Sequence, residues 1–223
     1  MFSGQKILII IFVLFIIGAG IYSMTSKLQQ GRNLSASPSP SASPLTFLSD
    51  QASSSAQPNL LPLEKVKKLS KFPGVLKKED LENKKAIIQT NKGIIELEIY
   101  PEASMAASNF IILASNGFYN GLTFHRVVPG FVIQGGDPDG NGTGGPGYQF
   151  ADEIVTRDYL KGIMAMANSG PDTNGSQFFI MLEDNLTLPK NYTIFGKVLV
   201  GQEVVDKIRV GDVMQKVTIQ KFQ

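Results

Sequence analysis

The stretch Phe124-His-Arg-Val-Val-Pro-Gly-Phe-Val-Ile-Gln-Gly-Gly136 decides the fold class. With the preceding Thr123 it forms two short runs rich in β-branched and aromatic residues, Thr123–Val128 and Phe131–Gln134, with Pro129-Gly130 between them. Such runs bounded by turn formers read as strands. Upstream, Ala86–Thr90 and Ile94–Tyr100 flank the turn Asn91-Lys-Gly93, and downstream lie Ile163–Ala167, Gln177–Met181, Thr193–Val198 and Lys216–Phe222. In Ile94–Tyr100, Glu96 and Glu98 alternate with Ile95, Leu97 and Ile99, so one face of that strand is wet. Two helices are predicted. One opens at Pro101-Glu102, carries Ala106, Phe110, Leu113 and Ala114 on one stripe and stops at Gly117; the other lies near Glu203–Arg209. Many short strands, glycine-rich turns and two helices predict a mainly β protein, a closed barrel with helical caps.

Outside this region the chain changes character. After a flank at 1–6, residues 7–24 form an apolar run, unbroken from Ile7 to Ile17. The run approaches the roughly 17–25 helical residues that cross a bilayer core. A transmembrane helix that stays as an anchor is favoured because the run is long for a signal peptide. A cleaved signal, with Gly18 and Gly20 near the cut, is the alternative. Lys6 on one side and Lys27 and Arg32 on the other leave the orientation open. Residues 25–63 contain Ser35-Ala-Ser-Pro-Ser-Pro-Ser-Ala-Ser-Pro44, a composition too polar to offset its ordering entropy, and are read as a disordered linker. Residues 64–85 are charged, and their pattern leaves open whether they join the domain that begins at 86 and runs to 223.

Composition narrows the chemistry. A net charge of +2 on 223 residues lacks the concentrated basic face that nucleic-acid binding needs, so no nucleic-acid partner is expected. With no cysteine, thiolate chemistry, disulfides and cysteine-ligated metals are excluded. His125 is the only histidine, and one histidine makes no metal cluster; a structural hydrogen-bonding role is expected for it. Asp137-Pro-Asp-Gly-Asn-Gly142 imitates the first half of a calcium loop, but Tyr148 stands where the bidentate glutamate belongs. No metal and no cofactor are predicted.

With Phe124–Gly136, the runs Met166-Ala-Asn-Ser-Gly170, Asn174-Gly-Ser-Gln-Phe-Phe-Ile180, Asn141-Gly-Thr-Gly-Gly145 and Phe195-Gly-Lys-Val198 stand in one order and spacing. Here the chain closely resembles the cyclophilin family of peptidyl-prolyl isomerases, from about Ala86 to the C-terminus. The resemblance implies an eight-stranded antiparallel β-barrel capped by two α-helices. It also implies rotation about the bond preceding proline, whose partial double-bond character sets a barrier of roughly 18–20 kcal/mol. No covalent bond changes in that reaction. It needs a cation for the prolyl nitrogen as its lone pair localises, an apolar pocket for the ring, and a grip on the flanking backbone.

By the resemblance, Arg126 is the catalytic cation. Phe131, Val132, Phe179 and Leu188 are walls of the proline pocket, with Tyr192 where many relatives carry a histidine beside the ring. Gln134 and Gln177 orient the arginine and hold substrate, and Ala167 and Asn168 form a backbone-binding strand edge. His125 is a supporting residue. Phe178, next to Phe179, points the other way into the core. Thr187 stands where many relatives carry a tryptophan, which predicts weakened inhibition by cyclosporin. The implied partners are proline-containing polypeptides and, through the N-terminal helix, a membrane. A monomer is expected, with its catalytic domain extracytoplasmic, or secreted if the signal is cleaved. The competing reading is a non-catalytic proline-peptide-binding or chaperone module; retention of Arg126 with both glutamines favours the enzyme.

Overall fold

Alternation of apolar residues on short strands builds one curled sheet, seen in a computed structural model that describes residues 68–222. The anchor, signal and linker expectations for residues 1–63 lie outside the described residues. Among the described residues, no helix is long and apolar enough to cross a membrane.

The strands are β1 (Lys84–Thr90), β2 (Gly93–Ile99), β3 (Phe124–Val128), β4 (Val132–Gly135), β5 (Ile163–Met166), β6 (Phe178–Met181), β7 (Ile194–Val200) and β8 (Met214–Lys221). They lie in the order β3-β4-β6-β5-β7-β2-β1-β8, and every ladder is antiparallel. The expected full closure is not reached. The outer strands β3 and β8 meet only where their leading ends overlap, through the bridge Thr123–Val213 and bonds such as Phe124 N–H to Asp212 O at 2.8 Å and Met214 N–H to Leu122 O at 2.8 Å. Beyond that overlap the two strands are not laddered, so the sheet is a curled half-barrel.

Of the helices α1 (Lys78–Leu81), α2 (Ser104–Ser115) and α3 (Gln202–Val205), only α2 is long. The helix expected over Glu203–Arg209 is confined to Gln202–Val205: the backbone bonds tighten to i→i−3 at Lys207 and Ile208, and Asp212 then accepts the Arg209 N–H at 2.7 Å in a turn. Helix α2 starts later than Pro101. Its first turn is capped by a distant carboxylate: Glu153 accepts the N–H groups of Met105 and Ala106, both at 2.9 Å. Inside the curl, Phe110 of α2 meets Tyr119, Phe178 and Phe195 at centroid distances of 5.0, 5.6 and 5.4 Å.

Residues preceding β1 also join the domain. Leu81 is buried, and Leu69, Phe72 and Leu76 lie against the main core.

Candidate active site

Antiparallel partners present their side chains on the same face of a sheet, so register alone assembles a row. Arg126 faces Gln134, Gln134 faces Phe179, Phe179 faces Ala165, and Ala165 faces Ile194. The opposite face carries Phe124, Gly135, Phe178 and Met166. Strict alternation along β3 would put Arg126 with Phe124, inside the core. It does not, because His125 is an extra residue: Phe124 pairs with Gly135 and Arg126 with the adjacent Gln134. This bulge turns the guanidinium outward.

A directed chain of amides then fixes it. The Gly142 and Gly144 carbonyls can only accept, and they take the Gln177 Nε2 hydrogens at 3.0 and 2.9 Å. The Oε1 of Gln177 is left to accept from Gln134 Nε2 at 2.9 Å. Gln134 Oε1 in turn accepts from Arg126 Nη1 at 3.1 Å. Each amide orientation follows from the previous one, and the last presents an oxygen to the cation.

The carbonyl-bearing loop is held by Asp137, a buried carboxylate that accepts the backbone N–H groups of Asp139 at 2.8 Å, Asn141 at 3.0 Å, and Gly142. Burial alone would raise its pKa, but the backbone N–H groups of Asp139, Gly142 and Gly144, with His125 nearby, outweigh it and hold the carboxyl below its ordinary range. The residue that imitates a calcium ligand is thus spent on its own loop.

Apolar predicted residues gather beside the relay. Val132 and Phe179 belong to a buried cluster with Tyr100, Tyr159, Ile163, Ala165, Met181 and Ile194, against which Phe131, Ala167, Leu188 and Tyr192 lie half-buried. Phe179 and Tyr192 meet edge-on at 5.5 Å and 82°. Tyr192 is braced by a residue the sequence did not reveal: the Tyr159 hydroxyl accepts its N–H at 3.0 Å and donates to its carbonyl at 2.9 Å. A cavity of about 650 Å³ adjoins, lined by Gln134, Gln177, Ala167, Asn168 and the loop at 142–149. Phe131, Val132, Phe179, Leu188 and Tyr192 do not line it; Ala167 touches both regions.

Two expectations change. β5 is an interior strand between β6 and β7 and ends at Met166, so Ala167 and Asn168 follow it in a loop instead of forming a strand edge. The Ala167 N–H is spent on Gln177 O at 3.0 Å. For His125 the expected structural hydrogen bond is not made in regular geometry: among the described residues neither ring nitrogen has a well-aligned partner, although the Gln177 side chain lies close enough to act on the ring. Burial holds its pKa below the ordinary value, against the pull of Asp137 and with the push of Arg126. Thr187 is exposed, its hydroxyl donating to Asn185 Oδ1 at 2.9 Å.

Known proteins share this fold. Residues 85–223 match the family model described as cyclophilin type peptidyl-prolyl cis-trans isomerase. The chain is 49% identical over 137 residues to a peptidyl-prolyl cis-trans isomerase of Helicobacter pylori, covering 59% of this chain and 84% of the relative. It is 50% identical over 129 residues to peptidyl-prolyl cis-trans isomerase B of Bacillus subtilis, covering 56% and 90%. A crystal structure of a cyclophilin type isomerase from Cryptosporidium parvum, determined in the presence of the dipeptide Ala-Pro, superposes with a TM-score of 0.58. It is 34% identical and is covered over 99% of its length, against 62% of this chain.

Proposed function

This chain belongs to the cyclophilin-type peptidyl-prolyl cis-trans isomerase family and is an enzyme of that class, and on that premise we propose that Arg126 catalyses rotation of prolyl bonds in polypeptides outside a membrane. The observation that carries the reading is the relay Gly142/Gly144–Gln177–Gln134–Arg126 ending beside the Val132, Phe179 and Tyr192 cluster.

The proline ring rests on Phe131, Val132, Phe179, Leu188 and Tyr192, which shed water from it. The Arg126 guanidinium donates to the prolyl nitrogen once twisting localises its lone pair. The planar amide has no such lone pair to offer, so the contact is made in the twisted state alone and lowers the barrier. Asn168, on the lip of the cavity, holds flanking backbone.

The activity is tested on Ala-Pro peptides with wild type against Arg126→Ala. Removing one donor aimed at a developing charge costs roughly 10²–10³-fold in kcat. Unchanged kcat in the variant would sink the assignment of Arg126.

For the address, the apolar run at 7–24 and the Ser/Pro linker at 25–63 support an anchor that holds the domain on the extracytoplasmic side. N-terminal sequencing of the membrane and secreted fractions tests it. An intact N-terminus in the membrane fraction is expected, and a mature chain in the medium that begins near Gly18–Gly20 would replace anchoring by secretion.

A further inference from the structure

Residues 68–84 precede the segment that the family model matches, yet part of them is built into the supports of the site. The Leu69 N–H donates to the Pro146 carbonyl at 2.7 Å. Gly147, in the left-handed region at φ +99, has the Leu69 carbonyl 2.3 Å from where a Cβ would stand, so only glycine admits the backbone crossing above it. Lys68 Nζ reaches Asp139 Oδ2 at 3.4 Å. Phe72 stacks on Phe150 at 5.1 Å and meets Tyr148 edge-on at 6.0 Å. The Leu76 N–H donates to Ser108 Oγ at 2.8 Å, tying the far end to helix α2.

The polar and backbone contacts at the Lys68 end, to Asp139, Pro146 and Gly147, fall on the loop whose Gly142 and Gly144 carbonyls set the Gln177 amide. Asp137 grips that loop from beneath; Lys68 and Leu69 grip it at Asp139 and Pro146. A carboxamide has two nearly isosteric orientations, and only the carbonyls choose between them. If the loop shifts, Gln177 loses its fixed acceptors and Gln134 no longer has to present oxygen to Arg126.

We propose that Lys68–Leu76 is a positioning strap for Arg126, acting through the glycine loop, Gln177 and Gln134. The proposal rests on the isomerase reading.

The test is a double-mutant cycle on the full chain with an Ala-Pro peptide. Leu69→Pro, which deletes the N–H donor, is made alone and in a Gln177→Ala background. Alone it lowers kcat roughly tenfold with KM little changed, because a misplacement of about 1 Å at a reacting group costs up to about 10²-fold. With the relay already cut by Gln177→Ala, the same substitution changes kcat little. An equal loss in both backgrounds, or full activity of the folded single variant, overturns the proposal. Circular dichroism checks folding at the assay temperature, and Phe72→Ala takes the place of Leu69→Pro if the latter is unfolded. A wild type inactive on the peptide would remove the isomerase reading itself and the strap with it. An active wild type with an additive cycle would remove the strap alone.

Discussion

The two faces of strands β4, β5, β6 and β7 are built from alternate residues of the same backbone, yet they do different work. The inner face carries Ile133, Met164, Phe178, Ile180 and Phe195, each at most 1% exposed and part of one large core with helix α2. The outer face carries Val132, Ala165, Phe179, Met181 and Ile194 in a smaller cluster whose rim residues, Phe131, Leu188 and Tyr192, are half-open to solvent. An interior filled on all sides has no room for a ligand. An apolar cluster whose rim is half-open, with Arg126 on the same face, leaves apolar surface on which the proline ring of the proposed substrate can rest. One sheet thus separates folding from binding by a single step along the chain.

The sharpest way to break this comparison is to truncate two neighbours. Phe178→Ala removes a ring that meets Phe110 and Tyr119 in the core, and should cost about 3–5 kcal/mol of stability. Phe179→Ala, one residue on, opens a cluster that already adjoins solvent. Its stability cost should be about half as large, while KM for a proline peptide rises severalfold. Urea denaturation and peptide kinetics on both variants check the pair. Equal stability losses with equal kinetic effects would erase the distinction between the faces.

A medium effect sharpens the comparison from the polar side. Glu153 belongs to neither apolar cluster, but its carboxylate caps α2, the helix that fills the inner face. Glu153→Ala should lower stability by about 1 kcal/mol through the lost cap and leave kcat/KM unchanged. A fall in kcat/KM at full folding would show that the inner face reports to the site.

How far the sequence disclosed this arrangement depended on how local each cause was. Phe178 and Phe179 were legible because period-two alternation is enforced at every residue of a strand. The eight strands were legible, each end within two residues, because short β-branched and aromatic runs stand between turn-forming residues. The outward turn of Arg126 was not, because alternation from Phe124 predicts the opposite face and only the bulge at His125 reverses it. Its role came from the family motif. Asp137, Glu153 and Tyr159 were missed as supports since each acts on loop backbone or distant segments, and no spacing encodes that. Leu69, Phe72 and Leu76 were hidden among lysines, too sparse for a helical or strand period, although they lie against the core.

His125 supplies the smallest test, and it sits at the junction of the two faces. Burial lowers its pKa and favours the neutral ring in the folded chain, with the push of Arg126 and against the pull of Asp137 and Gln177. The groups that face it are Asp137, Arg126 and Gln177. Between the folded pKa and the ordinary value of about 6.5, the unfolded chain holds a proton that the folded one does not. Stability therefore rises with pH through that window, is complete above it, and falls as pH drops below about 6.5 until the folded ring also titrates. Asp137 contributes in a separate window, because its carboxyl is held below its ordinary range and loses its contribution only at much more acid pH. A comparison of urea midpoints at about pH 7.5 and 5.5 thus isolates the histidine. The wild type should show a lower midpoint at the acid pH, and His125→Phe, which keeps a ring but takes no proton, should show a smaller drop. An identical drop in both proteins would mean that the bulge is indifferent to the charge of its extra residue. The turn that carries Arg126 outward would then rest on backbone geometry alone.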